Sequence, residues 1–433
     1  MNKRTLPYIG ILFLASLSSC KKDYTDPSGP SSSQALNSPN ALTDVAVGLQ
    51  NWYTAGRGGL VYNTITADGI LTNQLYVVNA GNTDEAQLNN GGGAVQSTNG
   101  ILTGMWSVAN KIVYDANHVL GQTPKIVTDK NYASGLIAYT SVFKALAIGD
   151  MATFWDHVPT GIADTLGVSN VSFEASAQGY ADALAVINNA LATIGANPVS
   201  STFLTNTPNS IDITNTLYAL KARYSLFAGN YADALAAAQQ VNRAIKSTFG
   251  YNTVVTNPIF TLATSTNNIY QPVDSTMGLP VGLQPDAGDK REPFYISISA
   301  NPRYRINGFF NATNAPIPVY LPGEMLLIMA ECYTRQGDLV NGANWLDSVV
   351  LKQPSKDPFG VGAGLTTPVT YTDQNDLLNQ IYKHRCIELF MGGLRLADER
   401  RFGRPVTERH RTFFPYPFVE RNGNTNTPPD PTF

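Results

Sequence analysis

The sequence predicts a mostly α-helical fold, a solenoid of helical hairpins with long irregular loop insertions. Three observations predict it. Apolar residues recur at spacings of three and four in one stretch after another. Two pairs of such stretches are broken at Gly229-Asn230 and at Gly337-Asp338, as the two arms of a hairpin would be. The string Tyr-Ala-Asp-Ala-Leu-Ala occurs twice, at Tyr180–Ala185 and Tyr231–Ala236, which marks an internal repeat. Composition agrees. The chain has 433 residues, of which 43% are hydrophobic, enough for a large core. Only 14% are charged, so Asn, Thr, Ser and Gln must cover much of the surface. The balance of 29 Lys+Arg against 32 Asp+Glu argues against a nucleic-acid binder, which needs clustered positive charge. Three cysteines exclude a disulfide scaffold and a Cys-rich zinc site.

The N-terminus sets the expected compartment. Lys3 and Arg4 precede an apolar run from Leu6 to Leu17. It is shorter than the roughly 20 residues that span a bilayer, and it fits the core of an export signal. Leu17-Ser18-Ser19-Cys20 then has the pattern of a bacterial lipobox. Residues 1–19 therefore read as a lipoprotein signal peptide, and Cys20 as the lipid-attachment residue of the mature chain. Several acyl chains on one cysteine would anchor it stably. Residues 20–39, rich in Ser, Pro and Gly, read as a flexible tether. Residues 40–433 read as a single α-helical domain with no second membrane-length apolar stretch.

Within that domain the expected helices are Ala41–Ala55, Ile101–Leu120, Tyr132–Phe154 and Glu174–Ile194, the last stopped by Gly195 and Pro198. Thr214–Ala228 with Tyr231–Ile245, and Gly323–Arg335 with Leu339–Leu351, are the two hairpins. Asp373–Phe390 is the last long helix. Residues 56–100 and 248–318 lack periodicity and are read as loop-rich insertions. The hairpins share a frame, with Ala222 seven residues before Gly229 and Ala330 seven before Gly337. A small residue for close packing followed by a glycine turn is the logic of tetratricopeptide-like units. Trp106, Trp155 and Trp345 are assigned to packing. Cys332 and Cys386 are read as buried thiols, with a disulfide between them left open.

Catalytic chemistry is nearly absent from the pattern. The four histidines, His118, His157, His384 and His410, form no His-Glu-x-x-His and no metal-ligand spacing. There is no Gly-x-Ser-x-Gly elbow, Walker loop or calcium loop. Gly360-Val-Gly-Ala-Gly fails as a dinucleotide fingerprint at Leu365. The paired carboxylates of a glycosidase have no sequence signature, so a secreted hydrolase stays as a third reading. No catalytic residue, metal or cofactor is assigned. The insertions are instead rich in rings and amides. Tyr62, Asn63, Asn73, Gln74, Tyr76 and Asn79 lie in the first. Tyr270, Gln271, Phe294, Tyr295, Asn301, Arg303, Tyr304 and Arg305 lie in the second. A ring can cover the C–H face of a sugar, and amides and Arg can bond its hydroxyl rim. Asn73, Tyr76, Tyr270, Tyr295 and Tyr304 are the candidate ligand-binding residues.

The C-terminal third is the most specific part. Gly323-Glu324 through Ala330-Glu331, followed by Gly337-Asp338, resembles a helix of the SusD/RagB-type outer-membrane lipoproteins of Bacteroidetes. So does Arg385-x-x-Glu388-Leu389-Phe390-x-x-Gly393-x-Arg395-x-x-Asp398-x-Arg400-Arg401-x-Gly403. The ending Phe414-Pro415-Tyr416-Pro417-x-x-Glu420 is similar to that family's closing element. The resemblance implies a SusD-like fold and a cell-surface, outer-membrane lipoprotein of nutrient uptake. Such a protein would capture oligosaccharides without catalysis and deliver them to a TonB-dependent SusC-like transporter. Peptides or another nutrient are the alternative cargo. Glu324, Glu331, Arg385, Glu388, Arg395 and Asp398 are read as a structural charge network. Arg385 is expected to meet Glu388, and Arg395 to meet Asp398, each three residues apart on a helix. His384, Gly392 and Glu399 depart from the family pattern, which has Glu, Glu and Leu there. Ligand positions carry no motif in that family, so no binding residue follows from the resemblance.

Overall fold

The computed structural model of the chain describes residues 36–159 and 170–433. The expected signal peptide (1–19), the expected lipid-attachment residue Cys20 and most of the expected tether lie outside the described residues.

The first helix, α1 (Pro39–Thr54), starts where Ser38 Oγ accepts the Ala41 amide at 3.2 Å and Pro39 fills the first turn. After it come α2 (Leu60–Leu71), β1 (Leu75–Val77), α3 (Thr83–Asn90), α4 (Gly100–Ile126) and α5 (Lys130–Phe154). The short strands β2 (His157–Pro159) and β3 (Phe173–Ala175) pair and lead to α6 (Ser176–Ala196). The first hairpin is α7 (Ile213–Phe227) and α8 (Tyr231–Gln240). A strand-rich region follows, with β4 (Thr248–Phe249), β5 (Tyr270–Pro272), β6 (Ile296–Ile298), β7 (Tyr304–Ile306) and β8 (Ile317–Pro318). The second hairpin, α9 (Pro322–Arg335) and α10 (Leu339–Val350), packs through α9 on α8. α11 (Gln374–Glu388) and the short α12 (Arg395–Arg401) complete the helical body.

The core runs through the helices. α5 is buried along nearly its whole length and packs on α4, α6 and α1, so its apolar composition is that of a core helix. Both hairpin turns use a left-handed glycine, Gly229 at φ +77° and Gly337 at φ +87°, a conformation that costs a residue with a Cβ. Ala222 and Ala330 are fully buried where the arms meet. Trp106 and Trp155 pack edge to face at 4.9 Å and tie the C-terminal segment down. Trp106 Nε1 donates to Glu420 at 3.0 Å and Trp155 Nε1 to the Pro415 carbonyl at 3.1 Å.

Two sequence expectations need correction. Residues 56–100 are not a long loop, because they contain α2 and α3. Every residue of α2 is buried, so it has no polar face and no amphipathic stripe to read. Its Asp68 accepts the Leu396 and Arg395 amides at 2.7 and 3.3 Å and caps α12 from inside the core. α8 stops at Gln240 rather than Ile245, because Asn215 Oδ1 takes the Asn242 amide at 2.8 Å and turns the chain away. The two insertions are joined. β1 pairs antiparallel with β5, Tyr76 opposite Gln271, and Gln271 Oε1 accepts the Ile306 amide of β7 at 3.0 Å.

The six charged residues of the expected network are all buried, but their partners differ from the expected ones. Arg385 grips Asp398 across the α11–α12 contact at 2.8 and 3.1 Å, not Glu388. Glu388 is held by Arg291 at 3.1 Å and Lys352 at 2.7 Å. Arg395 donates to the Met277 carbonyl at 2.9 Å and faces Glu399 at 3.4 Å rather than Asp398. Glu324 takes a two-pronged contact from Arg223, 2.7 Å on each oxygen, and Glu331 is clasped by Arg401 and Arg335. Residues three apart meet on an exposed helix surface. Here the side chains point into helix interfaces, and Arg385, Glu388, Glu324 and Glu331 find partners on other elements, while Arg395–Glu399 and Glu331–Arg335 pair four apart on one helix. The arginines around Glu331 hold its carboxyl down to about 2 against the opposing pull of burial. His384 accepts from Arg291 at 2.8 Å, and burial together with Arg291 and Lys383 holds its pKa well below the usual imidazole range. Cys332 and Cys386 are both buried free thiols.

Candidate functional site

The Tyr and Asn candidates do not assemble into one site. Tyr270 is fully buried in β5, its ring 6.3 Å from Tyr62, so it offers no face to a ligand. Tyr295 is 1% exposed and spends its hydroxyl on the Glu388 carbonyl at 2.6 Å. Both assignments are corrected by burial: these rings are core, not platform. Asn73 turns the chain after α2 at φ +60° and donates to the Glu408 carbonyl at 2.8 Å, so its amide is used by the fold. Tyr76 and Tyr304 are half-buried on β1 and β7, on either side of β5.

A different group of residues forms a concavity suited to a ligand. The 248–318 insertion ends in a loop, 308–316, that follows β7. Gly308 opens it at φ +65°, where a Cβ would meet the Phe294 ring at 3.0 Å. Asn257, fully buried, clamps the loop from beneath. Its Nδ2 donates to the Phe309 and Ala315 carbonyls at 2.9 and 2.8 Å, and its backbone amide to the Thr313 carbonyl at 2.7 Å. The clamp holds Phe309 edge-on to Phe294, 5.3 Å between ring centres, and to Phe359 at 5.9 Å. Phe359 comes from the segment after α10. Asp357 accepts the Phe359 amide at 2.8 Å and is itself fixed by Lys352 at 2.7 Å. Lys246 lies over the Phe359 ring at 5.4 Å.

Together Phe294, Phe309, Phe359, Asn311, Asn314 and Lys246 line a surface cleft of about 470 Å³. That size lies within the range of small-ligand pockets. Other surface concavities of about 350, 370 and 300 Å³ lie beside α6, along α11 and near Arg404, but no Phe, Tyr or Trp lines them among the described residues. The cavity around Asp150, Arg223 and Glu324 measures only about 80 Å³, room for water rather than a sugar ring. Tyr53 donates to Asp150 there at 2.9 Å, and burial raises the Asp150 carboxyl to about 7. The cleft is thus the one of these concavities that combines ring faces with amide donors and acceptors. Sequence reading placed Phe294 in the right insertion. It missed Phe309, Phe359, Asn311, Asn314 and Lys246. The run Gly308-Phe309-Phe310-Asn311 was the available signal. Phe359 lay outside both insertions and had none.

No protein-family model matches the sequence, and no curated protein matches it. The fold does match solved structures. A SusD superfamily protein from Bacteroides thetaiotaomicron aligns with a TM-score of 0.71 at 14% identity, covering 91% of this chain and 100% of that one. A SusD-like carbohydrate binding protein from Bacteroides fragilis aligns with a TM-score of 0.70 at 14% identity, covering 90% and 99%. A laminarin binding SusD-like protein aligns at 0.63 and 16% identity, covering 91% and 99%. At this identity the likeness speaks for architecture, and it extends over almost the whole of each chain. The protein has the SusD-like fold.

Proposed function

We propose that this protein is a non-catalytic, SusD-type glycan-binding lipoprotein that holds oligosaccharides in the Phe294–Phe309–Phe359 cleft. The carrying observation is the cleft itself, with three half-buried rings and the exposed amides of Asn311 and Asn314 at its rim. A ring face covers the C–H face of a pyranose, and the amides exchange hydrogen bonds with its hydroxyls. The relatives named for carbohydrate or laminarin binding support a saccharide cargo over a peptide. The lipobox supports lipid attachment at Cys20 and an outer-membrane position facing the cell exterior. The fold likeness and the C-terminal motifs support work beside a TonB-dependent SusC-like transporter, with this chain capturing cargo and passing it on.

Calorimetry of the ectodomain against a panel of oligosaccharides and peptides tests the reading. Saccharides are expected to bind, and Phe309→Ala is expected to weaken them about tenfold through loss of one stacking face. Binding of peptides alone, or sugar release from a bound glycan, overturns it. Metabolic labelling with an alkynyl fatty acid, lost in Cys20→Ser, checks the anchor. Co-purification of a β-barrel transporter from native membranes checks the partner.

A further inference from the structure

Resting on that reading of the cleft, we infer that it selects acidic glycans, with Lys246 as the residue that recognises a uronate carboxylate or a sulfate ester. The residues lining the cleft include one cation and, among the described residues, no Asp or Glu. Such a lining is conspicuous in a chain whose 32 acidic residues outnumber its 29 basic ones. The nearby acid on the Phe359 segment, Asp357, is buried and turned inward, spent on Lys352 and on the Phe359 amide. Lys246 is exposed, and its ammonium has no ion pair or hydrogen bond among the described residues. Its aliphatic stem and position over Phe359 at 5.4 Å keep the charge at the ring edge of the cleft, where a stacked sugar would present its substituents.

A neutral pyranose needs only the rings and amides. An anionic one gains a charge-assisted bond to Lys246 that no carboxylate among the described residues competes for. At an exposed site such a contact gives about a three- to fivefold preference at low salt. Screening removes most of it at 1 M salt, where the Debye length falls to about 3 Å.

The test is calorimetry on the ectodomain with matched ligands: an oligogalacturonide, its neutral methyl ester, a neutral galactan oligosaccharide and its sulfated form. Wild type, Lys246→Met, Lys246→Arg and Phe309→Ala are compared at low and high salt. The expected result is tighter binding of the oligogalacturonide, the sulfated galactan, or both over the neutral counterpart. That preference should vanish in Lys246→Met, persist in Lys246→Arg and shrink with salt. Which pair shows it distinguishes carboxylate from sulfate. Phe309→Ala should weaken acidic and neutral forms alike. Phe309-dependent binding with no acid preference, or a preference unchanged in Lys246→Met, overturns the inference while leaving the saccharide reading in place. No binding of any saccharide overturns the reading and the inference with it.

Discussion

Replacing Glu399 by Gln should abolish a large alkaline penalty on stability. Glu399 is fully buried on α12, at a position where the sequence resemblance expects Leu. Its oxygens lie 3.4 Å from Arg395 and 3.9 Å from Arg409, and neither has a hydrogen-bond partner among the described residues. Burial therefore dominates. Arg395 and Arg409 oppose it, Asp68 and Glu408 add to it, and the carboxyl is pushed from 4.5 up to about 8. The unfolded chain ionises this group near 4.5, while the folded chain keeps its proton until about 8. Across that window the unfolded state binds fewer protons, so stability falls as pH rises and levels off above 8. At 1.36 kcal/mol per unit, the fall is on the order of 4 kcal/mol. Denaturant unfolding of wild type and Glu399→Gln at pH 5 and pH 9 isolates it. The raised carboxyls of Asp150, about 7, and Asp68, about 6, act in both proteins and largely cancel in the difference. The variant should gain several kcal/mol relative to wild type between the two pH values. A difference that stays constant within about 0.5 kcal/mol would refute the reasoning and mean that Glu399 is ionised and solvated in the folded protein.

Other expectations follow from single contacts. Glu331→Gln removes the charge and one of the two acceptor oxygens that Arg401 and Arg335 share, sets an amide donor against a guanidinium, and should cost about 3–5 kcal/mol in the same unfolding assay. In wild type that carboxylate's contribution should be lost as pH falls from 4.5 towards 2, the opposite sign to Glu399. Gly337→Ala, at φ +87°, should cost about 1–2 kcal/mol with no effect on ligand affinity. Asn257→Ala should weaken saccharide binding about tenfold in calorimetry although the residue is fully buried, because the 308–316 loop loses its clamp. Tyr76→Ala and Tyr304→Ala should leave affinity within about twofold, since neither ring lines the cleft.

How much was legible in the sequence depended on whether a feature had a periodic or local signature. α4, α5 and the two hairpins could be read because their capping residues, glycine turns and apolar runs lie in sequence order. α2 could not, because a helix buried on every side alternates nothing, and Asn63, Thr64 and Asp68 made it look like loop. The charged residues of the core were recognisable by type and motif, yet their pairing was not. Arg385 chooses Asp398, and Glu388 chooses Arg291 and Lys352, only once α11 and α12 cross. Arg291, fully buried and bonded to Asp289, Glu388 and His384, had no local signature at all. The cleft was half legible. The richness of the 248–318 insertion in rings and amides pointed to the right region, but composition cannot say which rings face outward. Tyr270 and Tyr295 went to the core, and the exposed faces fell to Phe294 and Phe309, joined by Phe359 from a segment some fifty residues further on.

The central claim is that rings and amides of one cleft, rather than any reactive group, hold the cargo. A crystal structure of the ectodomain soaked with the tightest-binding oligosaccharide tests it most directly. The account predicts an intact sugar chain stacked on Phe309, with hydroxyls bonded to Asn311 or Asn314. Sugar density at a different concavity, or a cleaved chain in the cleft, would contradict it.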